Sequence, residues 1–218
     1  MKKKIILKSF LLSAVAMLGL ATSAFAGGDG SAAMTPAPAP ETGLLGQSYA
    51  SLTYSYLNLA NSPVNADNYN FSFNQPLNAG FDAVFGYDWT QNGLDAGSRL
   101  NTQSLTGMLR AFSPSAYVWG KPYVEAGVGY AWQRGTPAGR DNSILWEAAV
   151  GVELRLAPAF TLTPFVQYAD TPDLAGNGTW KYGVKANYWV DHSWALTAGL
   201  ARDDHQNNLF TIGTNFRF

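Results

Sequence analysis

Leu209 to Phe218 reads LFTIGTNFRF, and this run constrains the fold more than any other stretch. Phe210, Ile212, Thr214, Phe216 and Phe218 share one face of an extended strand, while Thr211, Gly213, Asn215 and Arg217 share the other. Alternation at period two, with one apolar and one polar face, is the pattern of a strand that separates two environments. The same alternation recurs along the chain in segments of about ten residues separated by Gly, Pro, Asn and Asp. From Gly46 onward no window holds roughly eighteen consecutive apolar residues, so no membrane helix is predicted there.

The segments follow in order. Ala50, Leu52, Tyr54 and Tyr56 alternate with Ser51, Thr53 and Ser55, and Tyr69, Phe71 and Phe73 form a shorter apolar face. Gln75-Pro76-Leu77-Asn78 predicts a tight turn. Phe81 to Trp89 places Asp82 and Asp88 opposite its aromatics, and the return strand sets Leu105 and Leu109 against Thr106 and Arg110. Val124 to Trp132, Ile144 to Leu154, Leu162 to Tyr168, Trp180 to Tyr188 and Leu196 to Leu200 continue the series. Pro164 weakens its own segment as a strand. The count is ten strands, with eight as the alternative if the Tyr69–Phe73 segment merges with its neighbour. The predicted fold class is an all-β, antiparallel up-and-down transmembrane barrel.

Both ends of the chain need separate treatment. Residues 1–26 combine Lys2, Lys3, Lys4 and Lys8, an apolar run and the small-x-small site Ala24-Phe25-Ala26, which predicts a cleaved secretory signal. Residues 27–45 carry the Ala/Pro alternation Thr35 to Pro40, which predicts an extended, disordered periplasmic segment. The barrel is assigned to residues 46–218. Without the four leader lysines the chain has ten basic residues against fifteen acidic ones, a net charge of −5. That balance gives no reason to bind nucleic acid. Only 13% of residues are charged, against about a quarter in soluble domains. The chain has no cysteine, so a disulfide framework is excluded.

The alternating last strand that closes on Phe218 resembles the terminal strand of the Gram-negative outer-membrane β-barrels. The likeness is to the outer membrane protein A and X class and to small porin-family barrels, over about residues 46–218. It implies that Phe216 and Phe218 form the signal read by the barrel-assembly machinery, with periplasmic chaperones escorting the chain. It also implies contact with outer-membrane lipid and lipopolysaccharide, and a role in envelope integrity. Trp89, Trp132, Trp146 and Trp180 fall at strand ends beside loops, and Trp119, Trp189 and Trp194 fall beside turns. All seven are therefore predicted to sit in interfacial aromatic girdles.

The opposite faces predict the lumen. They carry Asp82, Asp88, Glu125, Glu147 and Glu153 with Arg110, Arg155, Lys181, Lys185 and Arg217. Buried charges persist only when paired or hydrated, so the set predicts either a salt-bridged plug or a narrow conduit for ions or small solutes. A surface receptor or adhesin acting through the loops is the binding alternative. A barrel enzyme of the omptin or lipid A-modifying kind is the catalytic alternative, and Asp203-Asp204-His205 supplies one half of an omptin-like site. The facing acidic pair that would complete that site has no match, so no enzyme activity, cofactor or metal site is predicted.

Overall fold

The computed structural model describes residues 43–60, 65–93, 99–113, 120–135, 139–174 and 178–218. The predicted signal, most of the segment that follows it and Trp119 lie outside the described residues. Ten strands are formed: β1 Tyr49–Asn58, β2 Ala66–Asn78, β3 Phe81–Gly93, β4 Arg99–Phe112, β5 Gly120–Gly135, β6 Gly139–Ala157, β7 Phe160–Asp170, β8 Thr179–Trp189, β9 Trp194–Asp203 and β10 Asn208–Arg217. Each pairs antiparallel with its sequence neighbour, and β1 pairs with β10, from Tyr49↔Arg217 to Asn58↔Asn208, to close the barrel. Closure removes every open sheet edge, the condition for a sheet to stand in lipid. At the end where the described chain begins and finishes, the β2–β3, β6–β7 and β8–β9 connections are tight turns and β4–β5 is longer; the other five connections lie at the opposite, loop end.

The polarity of the two faces is the reverse of a soluble barrel. Val128, Ile144 and Ile212 are 66%, 64% and 63% exposed on the outer wall, whereas Asn74, Asp82 and Thr161 are 0% exposed inside. A wall of that kind in water would be one contiguous apolar patch; in hydrocarbon it is the solvent-matched face. Aromatic rings band the wall near both rims. Tyr54, Tyr69 and Trp89 follow one another with tilted rings at 5.4 and 5.6 Å between centroids, and Trp146, Tyr168 and Trp180 do so at 4.9 Å each. Near the turn end Trp194 meets Phe216 at 4.8 Å, and Phe218 stacks on Phe73 at 5.7 Å.

Two local expectations are corrected. Gln75-Pro76-Leu77-Asn78 is the end of β2, and the reversal is made by Ala79 and Gly80, with Asn78 Oδ1 accepting from the Gly80 N–H at 2.9 Å. Pro76 is tolerated because the β2–β3 register shifts between Pro76 and Asn78. Pro164 does not interrupt β7. The β6–β7 pairs step from Gly151↔Phe165 to Leu154↔Leu162, and Pro164 occupies that gap while staying paired with Val184 on β8. Its missing N–H thus falls where β6 makes no demand on it.

Candidate functional site: a polar lumen closed at both ends

By strand alternation Asp82, Asp88, Arg110, Glu125, Glu147, Glu153, Lys181, Lys185 and Arg217 hold inward register positions. Arg110 on β4 and Glu125 on β5 are directly opposite each other. Their side chains form a salt bridge, with Glu125 Oε2 accepting from both Arg110 Nη2 and Nε at 2.7 Å. Arg110 also lies over the Tyr123 ring, 5.3 Å from its centroid. Gly151 makes this approach possible, since a Cβ there would stand 2.6 Å from the Tyr123 hydroxyl. Asp88 accepts from the Asn68 amide at 3.0 Å and from Asn70 at 3.2 Å. Glu147 Oε2 accepts from Gln167 at 2.9 Å. Each of these acids is held by a donor one strand away, the short-range answer to burying charge.

Lys181 and Lys185 differ from the other lumen charges. Both face the lumen from β8, and among the described residues neither ammonium has an ion pair or hydrogen bond within contact distance. Lys185 Nζ lies 5.3 Å from the centre of the Phe165 ring. They border a cavity of about 180 Å³ that also meets Asp88, Arg110, Glu125 and the hydroxyls of Ser51, Thr53 and Thr211. Beside it Asn187, Thr197 and Asn215 form a closed amide–hydroxyl group, with Thr197 donating to Asn187 Oδ1 at 2.7 Å and Asn215 Nδ2 donating to Thr197 Oγ1 at 2.6 Å.

Among the described residues both ends of the lumen are packed. At the loop end the inward positions turn apolar: Leu57 and Leu100 pack with Leu59, Ala66 and Leu209, and Leu145 packs with Ala131, Leu174 and Ala169. At the turn end the segment from Gly43 to Ser48 enters the mouth. Glu153 Oε2 accepts from the Leu44 N–H at 2.7 Å and Asp82 Oδ2 from the Gly46 N–H at 3.1 Å. Arg217 Nη2 donates to the Gly43 carbonyl at 2.8 Å, and Asn74 Nδ2 to the Gln47 carbonyl at 2.7 Å. Gly46 adopts φ 79, a left-handed conformation that strains any side chain, and the Phe112 ring, 3.1 Å from the place its Cβ would take, would have to give way slightly. Leu45 is buried beneath this turn. Residues 43–45 thus belong to the barrel mouth rather than to the extended segment expected for 27–45.

Several placements depart from the sequence reading. Trp189 is not part of the outer girdle: it takes an inward position, is 5% exposed, and lies beneath Arg217, whose guanidinium carbon is 4.0 Å from its ring centre. Trp132 faces outward, and its Nε1 donates to Gln103 at 3.0 Å. Arg155 is exposed at the turn-end rim. Two inward charges were not in the predicted set, Lys121, opposite Glu153 in register, and Asp203. Both lie at the last position where period two still applies, and counting two further residues would have found them. Asp203 does not orient His205: its oxygens accept from the Asn207 N–H at 2.8 Å and Nδ2 at 2.6 Å, while His205 Nδ1 lies 2.9 Å from Asp204 Oδ1. The omptin-like half-site is therefore a self-bonded loop tip.

No family model and no curated protein matches the chain. Solved structures similar to it include the translocator domain of the autotransporter NalP from Neisseria meningitidis, 10% identical over 82% of this chain and 91% of that one, with a TM-score of 0.49. The NanC porin is 10% identical over 78% of this chain and 100% of its own, at 0.47. Neisserial surface protein A is 12% identical over 78% and 96%, at 0.46. By its own closure, strand count and reversed faces, the chain has the architecture of a small outer-membrane β-barrel.

Proposed function

We propose that the protein is a structural barrel of the bacterial outer membrane, exported by its leader and shut in its resting form, contributing to the integrity of the envelope. The observation that carries this reading is that the lumen is closed twice, by inward leucines at one end and by residues 43–48 at the other. A through-channel needs neither closure. The outer wall supports the location, because its apolar belt between two aromatic bands matches a bilayer better than any soluble partner. Phe216 and Phe218 are the natural mark for the assembly machinery, since β10 must find β1 to close the sheet.

The cavity beside Lys181 and Lys185 favours a second reading, a minor channel that conducts ions or small solutes when one closure yields. Single-channel recording of the refolded mature protein in planar bilayers separates the two, with heat-modifiable gel migration as the measure of folding. The structural reading expects a folded barrel with no discrete conductance. A stable conductance that changes on substituting Glu125 or Lys185 would overturn it in favour of the channel.

A further inference from the structure

Charge around the cavity is balanced in number but not in contact. Asp88, Glu125 and Glu153 border it together with Arg110, Lys181 and Lys185, so net charge alone selects no ligand. Each of these acids has a donor at hydrogen-bond distance: the Asn68 and Asn70 amides for Asp88, Arg110 for Glu125 and the Leu44 N–H for Glu153. Asp203, directly opposite Lys181 in the ladder, is turned to Asn207. Among the described residues neither lysine ammonium has such a contact. An ammonium carries three N–H donors, and a charge taken out of bulk water persists only when paired or hydrated.

The wall beside Lys185 is open. One inward ladder row runs Thr163, Lys185, Gly199, Thr211 and Ser55, from β7 round to β1. Gly199 leaves a gap of one side chain in that row, between Lys185 and the Thr211 hydroxyl, which is bonded to Ser55 at 2.8 Å. Packing does not demand the gap. A Cβ at Gly199 would meet nothing nearer than 3.4 Å, whereas at Gly183 and Gly213 it would run into the Leu200 and Leu52 carbonyl oxygens. Lys185 points inward yet is exposed, so its accessible surface is the cavity wall. Lys181 stands on the same face of β8, about 13 Å away between Cα atoms, and the two charges repel. Their flexible stems let both ammoniums swing toward a point between them. Two cations closing from opposite sides suit an anion with separated acceptor atoms, which a carboxylate or a phosphate has and a halide lacks.

We propose that the gap at Gly199, framed by Lys181, Lys185, Thr163 and Thr211, is a binding site for one small oxyanion, a carboxylate or a phosphate. The ammoniums give it charge-assisted hydrogen bonds, and it relieves their repulsion. A cavity of about 180 Å³ takes an anion of a few heavy atoms with its waters, below the roughly 300–1,000 Å³ usual for larger ligands. The site stands on the lumen alone, whether the barrel is shut or conducts. The test is equilibrium dialysis of the refolded mature protein in nonionic micelles against radiolabelled phosphate or acetate, with heat-modifiable migration reporting the folded barrel. The wild-type protein retains about one equivalent of the better-fitting anion, and the two arms tell which it is. Lys181→Gln and Lys185→Gln each weaken retention about tenfold, and Lys185→Arg restores most of it. Gly199→Leu keeps both charges but fills the gap, so it loses the anion; Gly199→Ala, whose Cβ fits, weakens it in a barrel as stable as wild type. Undiminished retention in both glycine variants places the anion elsewhere and overturns the proposal. So does a folded wild-type barrel that retains neither anion above the double lysine variant, since the lysines are then neutralised across the lumen by Glu147, Asp88 and Glu125. A chain that never migrates as a folded barrel overturns the proposal together with the lumen it rests on.

Discussion

The two ends of the lumen are closed by opposite chemistry. At the loop end the closure consists largely of side chains of the strands themselves, Leu57, Leu100, Leu145 and Leu209, held by exclusion of water and no directional bond. At the turn end it is a separate stretch of six residues whose backbone is clamped by Glu153, Asp82, Arg217 and Asn74. The first closure comes into being when the barrel does and is lost only with it. The second consists of a few exchangeable hydrogen bonds, each worth about 1–3 kcal/mol net when one partner is charged. The turn end is thus the one that can open while the barrel stays folded, and the loop end is the one that sets stability.

The largest effect should come from the apolar end. Leu100 is fully buried, and Leu100→Ala should cost about 2–5 kcal/mol through lost burial and the cavity left behind. Urea unfolding in lipid vesicles, followed by gel shift, measures it. A cost below that of an average surface change would mean that the leucines are loosely packed and the contrast between the ends is false.

The clamp comes next. Glu153→Ala removes the carboxylate that accepts from the Leu44 N–H and should cost about 1–3 kcal/mol, read as faster hydrogen exchange at Leu44 and Gly46 with little change in the unfolding midpoint. Deleting residues 43–48 should leave the protein folded and still silent in planar bilayers, because the leucines remain. Conductance should appear when the deletion is combined with Leu57→Ala and Leu100→Ala. Conductance from the deletion alone would show that the loop end was never tight.

The asymmetry between the ends also marks what the sequence can disclose. Period two delivered the ten strands and the two faces, because each follows from local alternation, but it left out the inward Lys121 and Asp203 and took in Arg155, which is exposed at the rim. The leucine closure was within the same reach: Leu57, Leu100, Leu145 and Leu209 are apolar residues on positions that are polar elsewhere, a parity violation at one height of four strands. Trp189 was legible in the same way, one residue beyond the outward Tyr188. The mouth segment was not legible. Leu44 meets Glu153 across 109 positions of chain, and no periodicity links a residue before β1 to the inner face of β6. The β2 turn failed for a different reason: Pro76 carries the local signature of a turn, and only the register shift against β3 lets it stay in the strand.

A smaller effect tests whether the clamp is anchored by its own charge or by what lies under it. Arg217 donates to the Gly43 carbonyl while its guanidinium lies over Trp189. Arg217→Lys keeps the charge and a donor but loses the planar stack, so it should cost about 1 kcal/mol or slightly more. Trp189 fluorescence in a variant that retains no other tryptophan would report the change, and an unaltered spectrum would assign the anchoring to the acids alone.

The smallest effect is a pH dependence confined to the turn end. Asp191 lies in the turn between β8 and β9, outside the spanning strands, and its Oδ1 accepts from the N–H groups of Ser193 at 2.7 Å and Trp194 at 2.8 Å. Those two donors favour the charged carboxylate and hold its pKa below the ordinary 3.8. The folded pKa is therefore the lower of the two, so the turn gains its stabilisation above the ordinary value and loses it as the pH falls through 3.8 toward the folded value. Asp191→Asn keeps an acceptor but cannot titrate. The difference in unfolding midpoint between wild type and Asp191→Asn should shrink on acidification below that point and stay flat above it. Leu100→Ala, at the other end, should show a constant offset from wild type over the same range. If the leucine variant also tracked pH, the two closures would be coupled through the lumen charges that lie between them, and the independence of the two ends would be lost.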